Sequence, residues 1–393
     1  MLRISQLIAA AYLIIAVALV GLTAVNGPVA TAPFPLALGP NRDPVVVTIA
    51  YGTEKRLWLE EAVRRFATTN PRVDGHPIQV VLEGIGSRDT VTRIVAGELQ
   101  PTVISPASSI QVELLRDDWQ RKTNTNIVHD GSDAPQPLVL TPLVLVAWEE
   151  RAAVLWPNPQ ANFWSSLHDA LADPQGWATR GRPEWGLVKF GHTSPLSSNS
   201  GIQTLVLLAY GFHNKASNLT SADIFAPAFQ SWLIDVERAV LEFGDSTGTF
   251  MTDMVLFGPS KYDIVAVYEN VAIENIQAAE GRWGKLRLYY PPATIFSDHP
   301  YAILNATWVS PLQRQAAAQF REFLLTEQTQ TLALQYGFRP ANPQVALITN
   351  DANNPFNKYS GYGVQLDIQQ QVAIPSAEVL NNLTELWRRN INK

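Results

Sequence analysis

Short apolar runs that end in glycine or serine alternate with amphipathic stretches in the first third of the chain. The runs VVVTIAYG at 45–52, IQVVLEGIGS at 78–87 and PTVISPAS at 101–108 are rich in β-branched residues, which predicts buried strands. Between them, 54–71 and 87–99 place apolar residues at helical spacing, which predicts one-faced helices. This order predicts an α/β fold with parallel strands that end in hydroxyl-bearing turns.

The same pattern returns in the second half of the chain. The segment WGLVKFGHTSP predicts a strand that enters the turn GHTSPLSSNSG at 191–201, and SNSGIQTLVLLAYGF predicts the helix that leaves it. Residues 261–270 predict another strand that ends in a turn. Residues 314–338 form one long amphipathic stretch, and EVLNNLTELWRRN near the end predicts a further helix.

Two long extended segments, each interrupted by proline, bracket the middle of the sequence. They are 137–150, where Pro142 is expected to break the strand, and 286–304. Chain that leaves one α/β lobe and later returns to it has this pattern. We therefore expect lobe 1 at 45–143 and 292–393 and lobe 2 at 144–291, joined by two extended crossovers. Each lobe is expected to be a mainly parallel sheet flanked by helices, with a ligand in the crevice between the lobes.

The amino-terminal residues predict a location outside the cytoplasm. Residues 1–25 contain an uncharged run from Leu7 to Val25, which is long enough to span a bilayer as an anchor, or which serves as a signal peptide. Arg3 precedes this run, and a positive flank stays on the cytoplasmic side. Residues 26–44 are rich in proline and predict a semi-rigid tether. The body is thus expected to be held at the outer face of the cell membrane, or secreted if the segment is cleaved.

Composition narrows the function further. The 393 residues carry a net charge of −6 and contain no cysteine, which argues against a nucleic-acid partner and excludes disulfides, thiolate metal sites and cysteine nucleophiles. No histidine pair has metal-ligand spacing, and the glycines at 84 and 86 lack the rest of a dinucleotide fingerprint. We expect no cofactor, no metal and no catalytic residues, and so a binding protein.

The turn at 191–201 has two interpretations. Serine and asparagine are the preferred caps of an ordinary helix, so the turn is explained by capping alone. A helix amino terminus also attracts anions, because its free N–H groups carry about half a positive charge. Several such turns lie at the same end of the predicted sheet. Their convergence favours a ligand clamp of neutral hydroxyl and amide donors around an oxyanion.

Five stretches carry a resemblance to a known family. They are the first strand followed by Gly52 and Thr53, the helix start at Gly86 and Ser87, TVISPAS, the turn at 191–201, and an HPYAIL strand followed by a helix that ends in YGFRPAN. In this order they resemble the extracytoplasmic solute-binding proteins of ABC importers, of the type II periplasmic-binding fold near the molybdate and sulfate branch. The resemblance implies a small ligand, here an oxyanion, which is delivered to an ABC permease or a sensory membrane partner.

The resemblance also implies which residues contact the ligand. It assigns the contacts to hydroxyls and amides in the turns between strands and helices. The implied contacts are Thr53, Ser87, Ser105, Ser108, Ser194, Ser198, Ser200 and Tyr268, with Gly52, Gly86, His192 and Glu269 as further candidates. Thr53 stands where serine is common in the family, and the turn before Gly201 is longer and richer in serine. Both departures leave the identity of the oxyanion open.

Three alternatives remain at this stage. The chain also resembles the solute-binding part of bacterial proteins that continue into a von Willebrand factor A domain, so a ligand-sensing or scaffold protein that partners such a protein is one. An exported hydrolase with a hydroxyl turn as its oxyanion hole is another, although no general base is evident. The third is an iron-binding protein, because Tyr289 and Tyr290 are similar to the tyrosine pair of iron-binding proteins of this fold. The two tyrosines lie in an alternating strand, however, which turns one ring to the core and the other to water.

Overall fold

The computed structural model describes residues 42–158 and 161–391. The predicted anchor at 1–25 and nearly all of the predicted tether at 26–44 lie outside the described residues. Within the described ranges, no helix combines the length and the hydropathy that crossing a bilayer requires.

Strands and helices alternate along most of the chain. The strands are β1 Val45–Tyr51, β2 Arg72–Val73, β3 His76–Gly84, β4 Val103–Ser105, β5 Gln136–Pro137, β6 Val139–Trp148, β7 Phe190–Gly191, β8 Ile264–Tyr268, β9 Leu286–Tyr289, β10 Phe296–Ser297, β11 Pro300–Ile303 and β12 Arg339–Pro340. The helices are α1 Arg56–Thr68, α2 Ser87–Ala96, α3 Ser109–Thr123, α4 Glu149–Leu155, α5 Phe163–Leu171, α6 Asn199–His213, α7 Ser221–Phe225, α8 Pro227–Arg238, α9 Thr247–Phe257, α10 Glu269–Asn275, α11 Pro311–Leu325, α12 Glu327–Gln335, α13 Pro355–Lys358 and α14 Ala377–Asn390.

Lobe 1 is a six-stranded sheet with helices on both faces. Its strand order is β2-β3-β1-β4-β11-β5. The central strands β3, β1 and β4 are parallel, as the sequence predicts, whereas β2, β11 and β5 pair antiparallel. Trp58 and Phe66 of α1 pack with Phe320 of α11 on one face, and Ile94 of α2 packs with Leu115 of α3 on the other.

Lobe 2 is built on the long strand β6, which pairs with β8, β9, β10 and β12. Among the described strands of this sheet, β7 and β8 form the one parallel pair. Helix α6 crosses the lobe, and every residue from Asn199 to Tyr210 is buried. The two-lobed α/β fold is therefore confirmed, while the sheets are mixed rather than mainly parallel. The reason is that the returning crossover brings β11 into lobe 1 antiparallel to β4, and the outgoing crossover brings β6 into lobe 2 antiparallel to β8.

Two extended crossovers carry the chain between the sheets, as predicted. The first runs from β5 into β6, and the second runs from β10 into β11. The prediction that Pro142 breaks the first segment is wrong. Pro142 lies inside β6 opposite Phe296, where pairing with β8 has not yet begun, so its missing N–H interrupts no ladder bond there.

The carboxyl-terminal helix, α14, packs into a hydrophobic cluster. Val379, Leu383 and Trp387 of α14 belong to the same hydrophobic cluster as β6 and β8. The same cluster also includes Ile110 and Leu114 of α3, so α14 packs against elements of both predicted lobes. The lobe boundaries, with 292–393 in lobe 1, remain a prediction. The stretch 314–338 forms two helices instead of one, since Thr326 caps α12 by accepting a hydrogen bond from the backbone of Thr329 at 3.4 Å.

Candidate functional site

The turns that follow the strands of both lobes face each other, and Asn199 is a main point of contact. Its Oδ1 accepts hydrogen bonds from Ser108 Oγ at 2.9 Å and from Gln111 Nε2 at 3.0 Å, both from lobe 1. Its Nδ2 donates to Tyr268 Oη at 3.1 Å within lobe 2. All four side chains are buried. One amide therefore joins the start of α3 to the start of α6 across the interface.

A second contact between the lobes involves the start of α2. The backbone N–H groups of Arg88 and Asp89 donate to the carbonyl of Ser197 at 3.1 and 3.4 Å. A Cβ at Gly86 would lie 2.7 Å from this carbonyl oxygen, so the lobes approach closely only because residue 86 is glycine. The predicted contact Ser87 lies beside them, and its Oγ accepts a hydrogen bond from the backbone of Ala107 at 3.0 Å.

A charged cluster lies buried at the centre of this interface. Lys55 Nζ is 3.0 Å from Glu54 Oε1 and 3.3 Å from His299 Nδ1. Burial alone would raise the pKa of Glu54, but Lys55 and a hydrogen bond with His299 lower it to about 2. Burial lowers the pKa of Lys55 and that of His299. Gly52 leaves room for the Glu54 carboxylate, since a Cβ there would lie closer than contact distance.

The sequence predicts a ligand site lined by neutral hydroxyl and amide donors, whereas the structure places this charged cluster beside it. The letters EKR after Thr53 fit the first turn of an exposed helix, so the sequence indicates no buried ion pair. The start of α3 differs from the expectation as well, because a carboxylate of the protein already occupies the position expected for a bound anion. The carboxylate of Asp298, from the second crossover, accepts a hydrogen bond from the backbone N–H of Ser109 at 2.7 Å and contacts the Ser109 hydroxyl.

The turn at 191–201 contributes hydroxyls to a buried cluster in lobe 2. Ser200 Oγ lies 2.6 Å from Thr193 Oγ1 and 2.6 Å from Thr247 Oγ1, and Ser198 Oγ is 3.2 Å from Ser200 Oγ. These hydroxyls connect the start of α6 to the start of α9. Ser194 does not join them, because its Oγ accepts the backbone N–H of Leu196 at 3.2 Å, as in an ordinary serine turn.

Polar atoms at the interface are only partly satisfied by the protein itself. Among the described residues there, Ser105 Oγ, Gln111 Oε1, Asn270 Oδ1 and His299 Nε2 have no hydrogen-bond partner within the protein. All four side chains are at least nine-tenths buried. Burial raises the pKa of Tyr268, so its phenol stays neutral beside them. Unpartnered groups of this kind are stabilised by any solute or water that bonds them.

His192 and Glu269 are already engaged elsewhere. His192 Nε2 lies 3.1 Å from both carboxylate oxygens of Glu237, which also accepts a hydrogen bond from Trp387 of α14. Glu269 forms a bidentate pair with Arg339, with both distances at 2.7 Å. These buried pairs hold lobe 2, β12 and the carboxyl-terminal segment together, which explains both residues without a ligand.

A cavity of about 300 Å³ opens beside the charged cluster and is lined by both lobes. Lobe 1 contributes Thr53, Glu54, Arg56 and Leu57. Lobe 2 contributes Ser246, Gly248, Thr249, Thr252, Val271, Glu274 and Asn275. Of the ligand contacts predicted from the sequence, Thr53 is therefore the one that lines this cavity. The contribution of α9 was missed, although the run DSTGT at 245–249 has the same small, hydroxyl-rich character as the turns that were recognised.

Two lobes joined by crossovers, with polar turns facing each other across a partly open interface, define a ligand-binding protein that opens and closes. Residues 47–339 match the model of the family described as bacterial extracellular solute-binding protein. The chain belongs to this family. It is therefore a protein that binds a small solute outside the cytoplasm, and not an enzyme.

Solved structures show the same fold at low sequence identity. The sulfate-binding protein SubI from Mycobacterium tuberculosis is 18% identical with a TM-score of 0.54, over 84% of this chain and 93% of that one. The ferric binding protein from Campylobacter jejuni is 9% identical with a TM-score of 0.57, over 88% and 98%. A periplasmic thiamin binding protein is 11% identical with a TM-score of 0.57, over 89% and 97%. A sequence comparison with curated proteins gives no match.

Proposed function

We propose that the ligand is a small oxyanion, captured between the two lobes for delivery to the permease. The observation that carries this proposal is the cavity to which each lobe contributes hydroxyls. Thr53 lies at the end of β1 in lobe 1, and Ser246 and Thr249 lie at the start of α9 in lobe 2. A ligand that bonds all three ties the lobes together, and its binding therefore favours the closed form.

The electrostatics of the cavity suit an anion of modest charge. The amino end of α9 carries a partial positive charge, because the N–H groups of its first turn have no partner within the helix. Arg56 adds a positive charge at the exposed rim, where it also pairs with Glu60 at 3.4 Å. Glu274 lines the cavity as well, and burial raises the pKa of its carboxyl, which favours its neutral form. Lys55 compensates the carboxylate of Glu54, which also lines the cavity. Neutral hydroxyl donors complete the shell and allow the anion to be released to a transporter.

The experiment is a thermal melting series of the purified chain with molybdate, tungstate, sulfate and phosphate, followed by calorimetric titration of those that raise the midpoint. A ligand at 100 times its Kd stabilises the folded state by about 2.7 kcal/mol, which a melting curve resolves. Thr249→Val removes one exposed hydroxyl and is expected to weaken binding about 10- to 150-fold, since a hydrogen bond to a charged group contributes about 1.5–3 kcal/mol.

Thr331→Val is the matched control. Thr331 is also an exposed helical threonine whose Oγ1 donates to a backbone carbonyl of its own helix, at 2.8 Å, but it lies on α12 outside the interface. It is expected to leave the affinity unchanged. Equal affinities for the two variants, or no midpoint shift with any of the four anions, would count against an oxyanion in this cavity.

A scaffold or ligand-sensing protein that partners a von Willebrand factor A-type protein is a second candidate function. One observation favours it: the lobes already touch through direct hydrogen bonds at Asn199 and Ser197. A form that closes through its own contacts presents a fixed surface to a partner. In that case small-angle scattering gives the same radius of gyration with and without every anion of the series.

A further inference from the structure

A second cavity, of about 650 Å³, lies in lobe 2 away from the interface between the lobes. The start of α5 forms one wall, the carboxyl-terminal half of α6 forms another, and residues 370–372 of the carboxyl-terminal segment close a third side. The volume is more than twice that of the interlobe cavity and falls within the usual range of ligand pockets. From Asn199 at the interface to Tyr210 in this cavity, α6 rises about 16 Å.

Aromatic rings form the inner surface of this cavity. Trp164 packs against α6 at Gly211, where a Cβ would clash with the indole and displace it. Trp232 is half-buried, and it stacks on His168 with ring centroids 5.0 Å apart and contacts Phe212 at 5.4 Å. These contacts hold the rings in place before any ligand arrives, which reduces the entropy that binding costs.

The polar part of the lining is neutral. Asn162, Asn214 and Gln370 are exposed amides at the edge of the cavity, and each amide offers donors and an acceptor. Lys215 is the one charged residue among its described lining residues, and its ammonium is already bonded to Asp223 at 2.7 and 2.8 Å. An ionic ligand therefore finds no free counter-charge here, while a purely apolar ligand leaves the amides without partners.

We propose that this cavity binds a saccharide unit, independently of the solute between the lobes. A sugar ring presents apolar C–H faces that pack on aromatic rings, and equatorial hydroxyls that bond amides on both their donor and acceptor sides. The proposal goes beyond the transport function, because it concerns a different face of lobe 2. The saccharide is either a soluble sugar or a unit of a surface glycan, since the protein acts outside the cytoplasm.

Saturation-transfer NMR of the full chain with maltotriose, cellotriose and chitotriose tests the soluble source. Co-sedimentation with purified peptidoglycan tests the polymeric source. Binding in either arm supports the proposal and identifies the source, and Trp232→Ala and Gln370→Ala are each expected to weaken it at least fivefold. Gln370 is exposed, so this variant folds even where the loss of Trp232 perturbs packing. Trp283→Ala, which removes an exposed indole elsewhere in lobe 2, is the control.

The proposal is overturned if none of the four probes binds, or if binding survives both cavity variants. Failure here is distinct from failure of the oxyanion proposal. Gly86→Ala, which destabilises the closed form of the lobes, is expected to leave saccharide binding unchanged, and Gln370→Ala is expected to leave the melting shift with oxyanions unchanged.

Discussion

Closure of the lobes through Gly86 gives the sharpest quantitative prediction. In Gly86→Ala the new Cβ would lie 2.7 Å from the carbonyl oxygen of Ser197, so the two backbones must separate by several tenths of an ångström. The hydrogen bonds that Arg88 and Asp89 donate to the same oxygen, at 3.1 and 3.4 Å, are then lost. Each is worth about 0.5–1.5 kcal/mol, so the closed form is destabilised by about 1–3 kcal/mol. A ligand that requires closure binds about 5- to 150-fold more weakly.

Calorimetric titration of the variant with the oxyanion that binds wild type measures this loss. Small-angle scattering checks that the radius of gyration of the liganded variant exceeds that of liganded wild type. Gly361→Ala is the control, because no atom lies within 4 Å of the position that its Cβ would take, and its backbone does not have a positive φ. Wild-type affinity and an unchanged radius of gyration in Gly86→Ala would refute closure through this contact.

Three further predictions follow from buried contacts. Arg339→Met leaves the carboxylate of Glu269 buried without its cation, so guanidinium titrations are expected to show a free energy of unfolding lower by about 3–5 kcal/mol. Adding Glu269→Gln to this variant is expected to restore much of the lost stability. Equal stability of the single and double variants would contradict this. Asn199→Ala leaves the buried groups of Ser108, Gln111 and Tyr268 without their shared partner, so calorimetric titration is expected to show about tenfold weaker ligand binding and guanidinium titration a free energy of unfolding lower by about 1–3 kcal/mol. The pKa of Glu54 is lowered from 4.5 to about 2, so its ionisation stabilises the fold above pH 4.5 and that stability is lost as pH falls towards 2. The variant Glu54→Gln, which keeps Lys55, is expected to flatten this part of the curve when the free energy of unfolding is measured against pH.

Much of lobe 1 could be predicted because its information is local. The β-branched run of β1 and the helical spacing of Trp58 and Phe66 in α1 determine which faces are buried, independently of distant chain. The two crossovers were also evident from their length and composition. The direction of strand pairing was not evident, because β11 joins β4 only after the chain has returned from lobe 2.

The candidate site was only partly predictable for the same physical reason. Thr53 and Ser200 stand in recognisable turns, and Thr53 lines the cavity between the lobes while Ser200 belongs to the buried hydroxyl cluster of lobe 2. Asp298 is 189 residues from the helix end that it caps, and no local pattern announces such a partner. Helix α9 was missed because glycine and threonine in its first turn weaken the helical signal, although the same residues make it suitable for contacting a ligand.

The chemistry of the interface explains why closure can depend on a solute. The lobes are joined by a few hydrogen bonds centred on Asn199 and Ser197, together worth a few kcal/mol. Against them stand polar atoms that the closed protein leaves unpartnered, such as Gln111 Oε1 and Asn270 Oδ1, each of which costs about 1–3 kcal/mol when no solvent reaches it. These two contributions are of similar size and opposite sign, so we expect the free protein to open at little cost. A bound solute that adds even two hydrogen bonds across the cavity beside Thr53 is then sufficient to shift the population to the closed form.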